Sequence, residues 1–162
     1  MKYICIKTVA IYLLATLPLL ANASTHKVKI THSVMVGNGI AKFIPEGFDA
    51  QKIPSFAIEK EPREQGTLPA DWVLVPEFSL TDGKANASLT VPEGTSIYGG
   101  GEVTGSLLRN GKTIKLWNTD SGAYGVDKGT RLYQSHPWMM GVRKDGTAFG
   151  ILFDTTWKAE LS

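Results

Sequence analysis

The chain has 162 residues, a formal net charge of +2, charged side chains at 20% of its positions and a single cysteine, Cys5. Charges this closely balanced do not favour nucleic acid or an acidic membrane surface as a partner. One thiol excludes an internal disulfide and a cysteine-based metal site.

The first part of the chain, up to Ala23, has the pattern of a secretory signal. Lys2 and Lys7 precede an uncharged run from Val9 to Leu20, and small residues follow it. The run is about twelve residues long, whereas a membrane-spanning helix needs roughly twenty. We predict a signal peptide over residues 1–23, cleavage after Ala23 and a secreted or periplasmic product with one domain over residues 24–162. A buried or membrane-anchoring helix is the alternative.

A strand pattern begins soon after the predicted cleavage site. Apolar and polar residues alternate from Val28 to Val36, and the glycines at 37 and 39 permit a tight turn before the apolar run from Ile40 to Ile44. This arrangement predicts a β-hairpin. Residues 45–69 are rich in proline, glycine and charge, which predicts an exposed, irregular connection.

Further short strands are predicted along the rest of the chain. They cover residues 72–75, 78–80, 89–91, 112–117, 138–143 and 147–153, with turn pairs at Asp82–Gly83, Asn110–Gly111 and Asp145–Gly146. The last two pairs are typical of hairpin turns, and Asp145–Gly146 is predicted to join residues 138–143 to 147–153. Since no stretch keeps the apolar spacing of a helix, we predict an all-β fold, an antiparallel β-sandwich. The apolar run from Trp157 to Leu161 predicts an unpaired edge strand and a domain truncated at the C-terminus.

Three blocks of sequence carry a resemblance to a known family. They are Tyr98–Glu102 with Gly105, Leu107, Arg109 and Gly111; Leu116–Asp120 with Tyr124; and Tyr133–Trp138 with Gly141–Val142, Asp145–Gly146 and Gly150–Phe153. In this order and spacing they resemble the N-terminal domain of family 31 glycoside hydrolases, which include α-glucosidases and α-xylosidases. The resemblance implies a galactose mutarotase-like sandwich, a (β/α)₈ catalytic barrel in cis, an α-linked oligosaccharide substrate and no cofactor or metal.

The same resemblance implies that catalysis takes place outside this chain. In the family, the barrel supplies an aspartate nucleophile and an aspartate acid/base for a retaining mechanism, which needs two carboxyl groups about 5 Å apart. The family's nucleophile motif, a tryptophan and an aspartate followed by methionine, asparagine and glutamate, does not occur in this sequence. We therefore expect no catalytic residue here and no activity of the chain by itself.

One substrate-binding residue is implied by the resemblance, namely Asp120. A carboxylate can accept hydrogen bonds from two adjacent sugar hydroxyls, which fixes the orientation of the ring. The alternative is a plain turn, since Asp120, Ser121 and Gly122 form turns readily. Thr119 stands where some relatives carry arginine, which leaves the preference of the outer subsite open. Trp117 either stacks on a sugar or belongs to the core, and the core is the favoured interpretation.

Other polar residues have simpler interpretations. His136 lacks a partner at a spacing that suggests a proton relay, so a structural role is expected. The glycines before Glu102 are expected to permit a tight bend, with Glu102 or Arg109 in a buried or interdomain ion pair, because no Walker-type lysine follows. Asn86 begins a glycosylation sequon.

Two other functions are weighed against the glycosidase domain. A free-standing carbohydrate-binding or interaction module without enzymatic activity is the alternative, since a sandwich can expose its tryptophans. A mutarotase-like epimerase needs a paired acid and base acting on the sugar ring, and His136 alone is available for that.

Overall fold

The computed structural model describes residues 2–6, 24–49 and 63–162. Apart from two short 3₁₀ turns, Gly122–Tyr124 and Val126–Gly129, all regular elements in these ranges are β-strands, which confirms the all-β prediction. No helix within these ranges is long and apolar enough to cross a membrane. The predicted cleavage site after Ala23 and much of the predicted exposed connection, residues 50–62, lie outside the described residues.

The strands of the described residues form three sheets. Their bounds are β1 Lys2–Ile6, β2 Thr25–Val28, β3 Ile30–Gly37, β4 Ile40–Pro45, β5 Glu77–Thr81, β6 Lys84–Ser88, β7 Ser96–Gly101, β8 Ile114–Leu116, β9 Ser135–Val142, β10 Ala148–Phe153 and β11 Ala159–Leu161. The strand orders are β3-β4-β1-β10-β9-β7 in the large sheet, β2-β5-β6 in the second and β11-β8 in the third. Every pairing except those of β1 is antiparallel.

Short turns of two or three residues explain where the hairpins form. The predicted hairpins β3–β4 and β9–β10 are confirmed, with turns at Asn38–Gly39 and Asp145–Gly146. Between β5 and β6, Asp82 and Gly83 have φ values of 50° and 72°. Positive φ at both central residues is the requirement of the turn whose twist matches that of the flanking strands.

Two predicted strands are wrong. Residues 72–75 alternate between buried and exposed but pair with no strand among the described residues. Trp72 and Leu74 fill the core from an extended segment that ends at Pro76. The strand after the Asp82–Gly83 turn is Lys84–Ser88 rather than residues 89–91, because the tight turn places Lys84 directly opposite Thr81.

The C-terminal strands also differ from expectation. Asn110–Gly111 is a turn, but it does not join a hairpin, because β8 pairs with β11. The last strand, expected to be unpaired, is therefore bonded to β8 on one side, with Leu161 opposite Ile114. Long-range pairing of this kind leaves no turn signal in the sequence.

The main core lies between the two larger sheets, which confirms the sandwich. Phe43 on β4 and Phe149 on β10 are completely or almost completely buried, and they share one cluster with Phe78 on β5. A second cluster, Ile114, Leu116 and Leu161, joins the two-stranded sheet to side chains of β9 and β10. Burial of these apolar side chains is the main force that holds the layers together.

The central position of the large sheet is held by β1. Lys2–Ile6 lies between β4 and β10 and is parallel to both strands. A polypeptide cleaved after Ala23, as the sequence predicts, does not contain this strand. In the cleaved polypeptide, the edges of β4 and β10 that bond to β1 would have no partner strand.

Candidate functional site

A bulged glycine strand forms one border of the candidate site. Gly99, Gly100 and Gly101 have φ values of 116°, 82° and 94°, and the register between β7 and β9 shifts between Gly99 and Gly101. A Cβ at Gly101 would overlap the backbone of Gln134 and His136. The predicted tight bend is confirmed, and glycine is needed because only it combines this φ with so close an approach.

Arg109 and Glu102 fasten the loop that follows this strand. Arg109 is buried, and it donates from Nε to the Gly99 carbonyl at 3.0 Å and from Nη1 to the Ser106 carbonyl at 2.8 Å. Glu102 is exposed, and its Oε2 accepts the Tyr133 backbone N–H at 3.2 Å. Among the described residues, these bonds to the backbone hold both side chains and neither side chain forms an ion pair. The interdomain ion pair, which was the other expectation, stays a prediction.

Asp120 lies on the loop after β8, between two anchored neighbours. The Thr119 N–H donates to the Leu132 carbonyl at 2.8 Å, and Ser121 is only 2% exposed. Asp120 itself is exposed. The 3₁₀ turn begins after Ser121 and ends at Tyr124, whose φ of 59° is unusual for a residue other than glycine. The backbone around Asp120 is thus fixed while its carboxylate faces solvent, and strained residues such as Tyr124 concentrate at functional sites.

Tyr133 is the side chain that contacts the Asp120 carboxylate. Its hydroxyl donates to the Ser121 carbonyl at 3.4 Å and also lies within hydrogen-bonding range of Asp120. Partial desolvation, followed by the charges of Asp120 and Glu102, raises the pKa of Tyr133. A phenol is protonated at neutral pH and serves as a donor, and the raised pKa of Tyr133 extends this to higher pH. One hydroxyl occupies only part of the acceptor capacity of a carboxylate, so Asp120 keeps capacity for other donors.

The signal for Tyr133 in the sequence is weak, because the residue stands at the start of the third family block without a chemical role of its own. Its contact with Asp120 exists because the Thr119 bond to Leu132 brings the two loops together. Spacing along the chain does not reveal such a contact.

Trp117 lies beside this loop and is not a core residue. Half of its side chain is exposed, at 50%, so the favoured interpretation from the sequence is wrong. It lines an open cleft of about 400 Å³ together with Trp157, which is 36% exposed. Stacking of Trp117 on a sugar, and the effect of Thr119 on the outer subsite, stay predictions.

The remaining candidates do not converge on a second site. His136 is exposed at the beginning of β9, next to the buried Pro137. Over the part of the chain that the structure describes, no three His, Cys, Asp or Glu residues form a group suited to a metal ion. Asn86 is exposed on β6, and its Nδ2 donates to the Lys84 carbonyl at 3.1 Å.

Comparison with known proteins agrees with this fold. The model of the glycosyl hydrolase 31 N-terminal galactose mutarotase-like domain matches residues 24–161. The chain is 48% identical over 66 residues to "Alpha-glucosidase 2" of Bacillus thermoamyloliquefaciens, an alignment that covers 41% of the chain and 8% of that protein. It is 42% identical over 80 residues to "Alpha-glucosidase" of Hordeum vulgare, which covers 48% of the chain and 9% of that protein.

The matched segments thus span less than a tenth of the length of these relatives. The resemblance inferred from the three sequence blocks is confirmed, because the family model extends over nearly the whole described sandwich. The chain belongs to the N-terminal galactose mutarotase-like domains of glycosyl hydrolase family 31.

Proposed function

We propose that this chain is the N-terminal sandwich of a secreted or periplasmic α-glucosidase-like enzyme. The two relatives carry the name α-glucosidase. The family match begins at residue 24, directly after the predicted cleavage site, which supports cleavage there, and the mature sandwich of this proposal lacks β1. In this proposal the catalytic carboxylates belong to a barrel of the same protein, and the sandwich shapes the mouth through which an α-linked oligosaccharide enters.

The exposed carboxylate of Asp120 is the observation that carries the proposal. Its backbone is anchored on both sides, and the Tyr133 hydroxyl restrains its side chain. A fixed carboxylate loses little conformational freedom when it accepts hydrogen bonds from two neighbouring sugar hydroxyls. Asp120 thereby orients a sugar ring close to the bond that is cleaved, while the chemistry itself follows the two-carboxylate mechanism of retaining glycosidases.

A second candidate is a free-standing carbohydrate-binding module. The exposed indoles of Trp117 and Trp157 favour it, since exposed aromatic faces are suited to stacking on sugars. The two functions differ in the role of Asp120. In a binding module the residue contributes to the affinity for the sugar, whereas in an enzyme it contributes to the rate of hydrolysis.

The Asp120→Asn substitution in the enzyme that carries this chain is expected to lower kcat/KM for maltose by about tenfold to a hundredfold. The amide keeps the shape of the side chain but removes the charge-assisted hydrogen bonds to sugar hydroxyls, which are each worth roughly 1.5–3 kcal/mol. The measurement is steady-state hydrolysis of maltose, with circular dichroism to check the fold.

The matched control is Asp71→Asn, which removes an exposed carboxylate in another segment of the sandwich. We expect this control to retain the original kinetics. If Asp120→Asn also retains them, Asp120 is only a loop residue and the proposed role is wrong.

A further inference from the structure

The cleft beside Trp117 is built by two strand ends and one connection. In the two-stranded sheet, Ala159 lies opposite Leu116. Continuing this register by one residue places Lys158 opposite Trp117, and the Lys158 ammonium lies 5.7 Å from the centroid of the Trp117 ring. The register therefore brings Trp117 and Trp157 to the same end of the sheet, where both line the cleft.

The rest of the lining is uncharged, with two apolar residues, Leu116 and Pro137, and four polar ones. Asn118, Ser135, Thr155 and Thr156 contribute an amide and three hydroxyls, and the lining residues include no charged side chain. Thr155 is buried and is held in place, because its Oγ1 accepts the Trp157 backbone N–H at 3.2 Å. Thr156 is exposed. A wall of this kind offers uncharged donors and acceptors next to aromatic faces.

This combination selects one class of ligand. A neutral pyranose has C–H faces that pack on aromatic rings and a rim of hydroxyls that pair with amides and hydroxyls. An acidic ligand finds no cation in the lining itself, where the Lys158 ammonium is already engaged with the Trp117 ring, and a purely apolar ligand leaves the hydroxyls without partners. A cleft of about 400 Å³ lies within the range of small-molecule sites, which is roughly 300–1,000 Å³.

The cleft also lies close to Asp120 along the chain. Trp117 and Asp120 are three residues apart, so their Cα atoms are separated by at most about 11 Å. That is the reach of a short oligosaccharide. One chain of sugars can therefore contact both residues.

We propose that the cleft between Trp117 and Trp157 is a second sugar-binding site, which takes an outer pyranose unit of a neutral α-linked oligosaccharide. The position of this unit beyond the sugar held by Asp120 rests on the proposed function. Binding to the cleft itself does not, because its walls belong entirely to this chain.

The test is an NMR titration of the 162-residue chain with maltotriose, followed through the indole and backbone N–H signals. Saturable shifts are expected at Trp117, Trp157 and Thr156, with half-saturation at millimolar concentration. The Trp157→Ala substitution is expected to weaken binding at least about fivefold, since it removes one aromatic face. If this variant fails to fold, Thr156→Val removes one hydroxyl at constant shape and is expected to weaken binding about threefold.

Leu107→Ala is the matched control, because it removes a highly exposed apolar side chain that does not line the cleft. It should leave the affinity unchanged. The proposal is overturned if maltotriose produces no saturable shift at tens of millimolar, or if folded Trp157→Ala binds as well as the original chain.

The two proposals fail in different measurements. If Asp120→Asn turns over substrate as before, the proposed role of Asp120 is wrong, but sugar binding in the cleft is unaffected. If maltotriose does not bind in the cleft, the cleft proposal is wrong, but the kinetic effect expected of Asp120→Asn is unaffected.

Discussion

The Gly101→Ala substitution is expected to lower the free energy of unfolding of this chain by about 3 kcal/mol, a sum of backbone strain and steric overlap. Gly101 has a φ of 94°, which a residue with a Cβ rarely adopts. The added methyl group would also overlap backbone atoms of Gln134, Ser135 and His136, which cannot swing away as a flexible side chain does. Relief of this overlap requires β7 and β9 to separate near the end of the sheet.

Gly111→Ala provides the matched control for this effect. Gly111 also has a positive φ, 69°, but a Cβ there has no neighbour within 4 Å. Only the strain of the left-handed conformation is left, so the expected loss is about 1 kcal/mol. Urea denaturation of both variants measures the difference. Equal losses would show that the close contact between β7 and β9 does not exist as described.

Removal of residues 1–23 is expected to lower the free energy of unfolding, because the shortened chain lacks β1. In the large sheet, β1 is paired with five residues of β10 and four of β4. Each backbone hydrogen bond contributes roughly 0.5–1.5 kcal/mol net, so losing this strand costs on the order of 5 kcal/mol. The exposed edges of β4 and β10 are also templates for pairing with other chains.

Two readouts follow the loss of β1. Hydrogen exchange of the β10 amides should accelerate in the chain that begins at Ser24, and light scattering should detect self-association. Ile4→Pro in the full chain should reproduce the faster exchange, because proline cannot take part in a central strand. Ser24→Pro, located outside the strands, is its control. Full protection of β10 in both the shortened chain and Ile4→Pro would show that β1 does not hold the sheet together.

Local chemistry explains which parts of the fold the sequence predicted. The hairpins β3–β4 and β9–β10 follow from glycine-containing turn pairs flanked by strand residues, since such turns fix the register of both strands. The family followed from ordered blocks of residues. By contrast, the pairing of β8 with β11 joins segments far apart in sequence, and the Asn110–Gly111 turn favoured a hairpin that does not form.

The candidate site was predicted in part. Asp120 came from the family resemblance, and its exposure is compatible with the predicted role. Two other features depend on loops that meet only in the folded chain. They are the contact of Tyr133 with Asp120 and the cleft that Trp117 and Trp157 line together. A hydrophobic neighbour such as Leu116 suggested that Trp117 is buried, but alternation along the strand places Leu116 inside and Trp117 outside.

The central claim is that the catalytic groups lie outside this chain. The most direct test is to compare hydrolysis of p-nitrophenyl α-glucoside by this 162-residue chain and by the longer enzyme proposed to contain it. We predict that the longer enzyme releases nitrophenol and that the chain alone, although folded, releases none above the buffer blank. Steady release by the purified chain, abolished by Asp120→Asn, would contradict the account, because it would place a catalytic group within the sandwich.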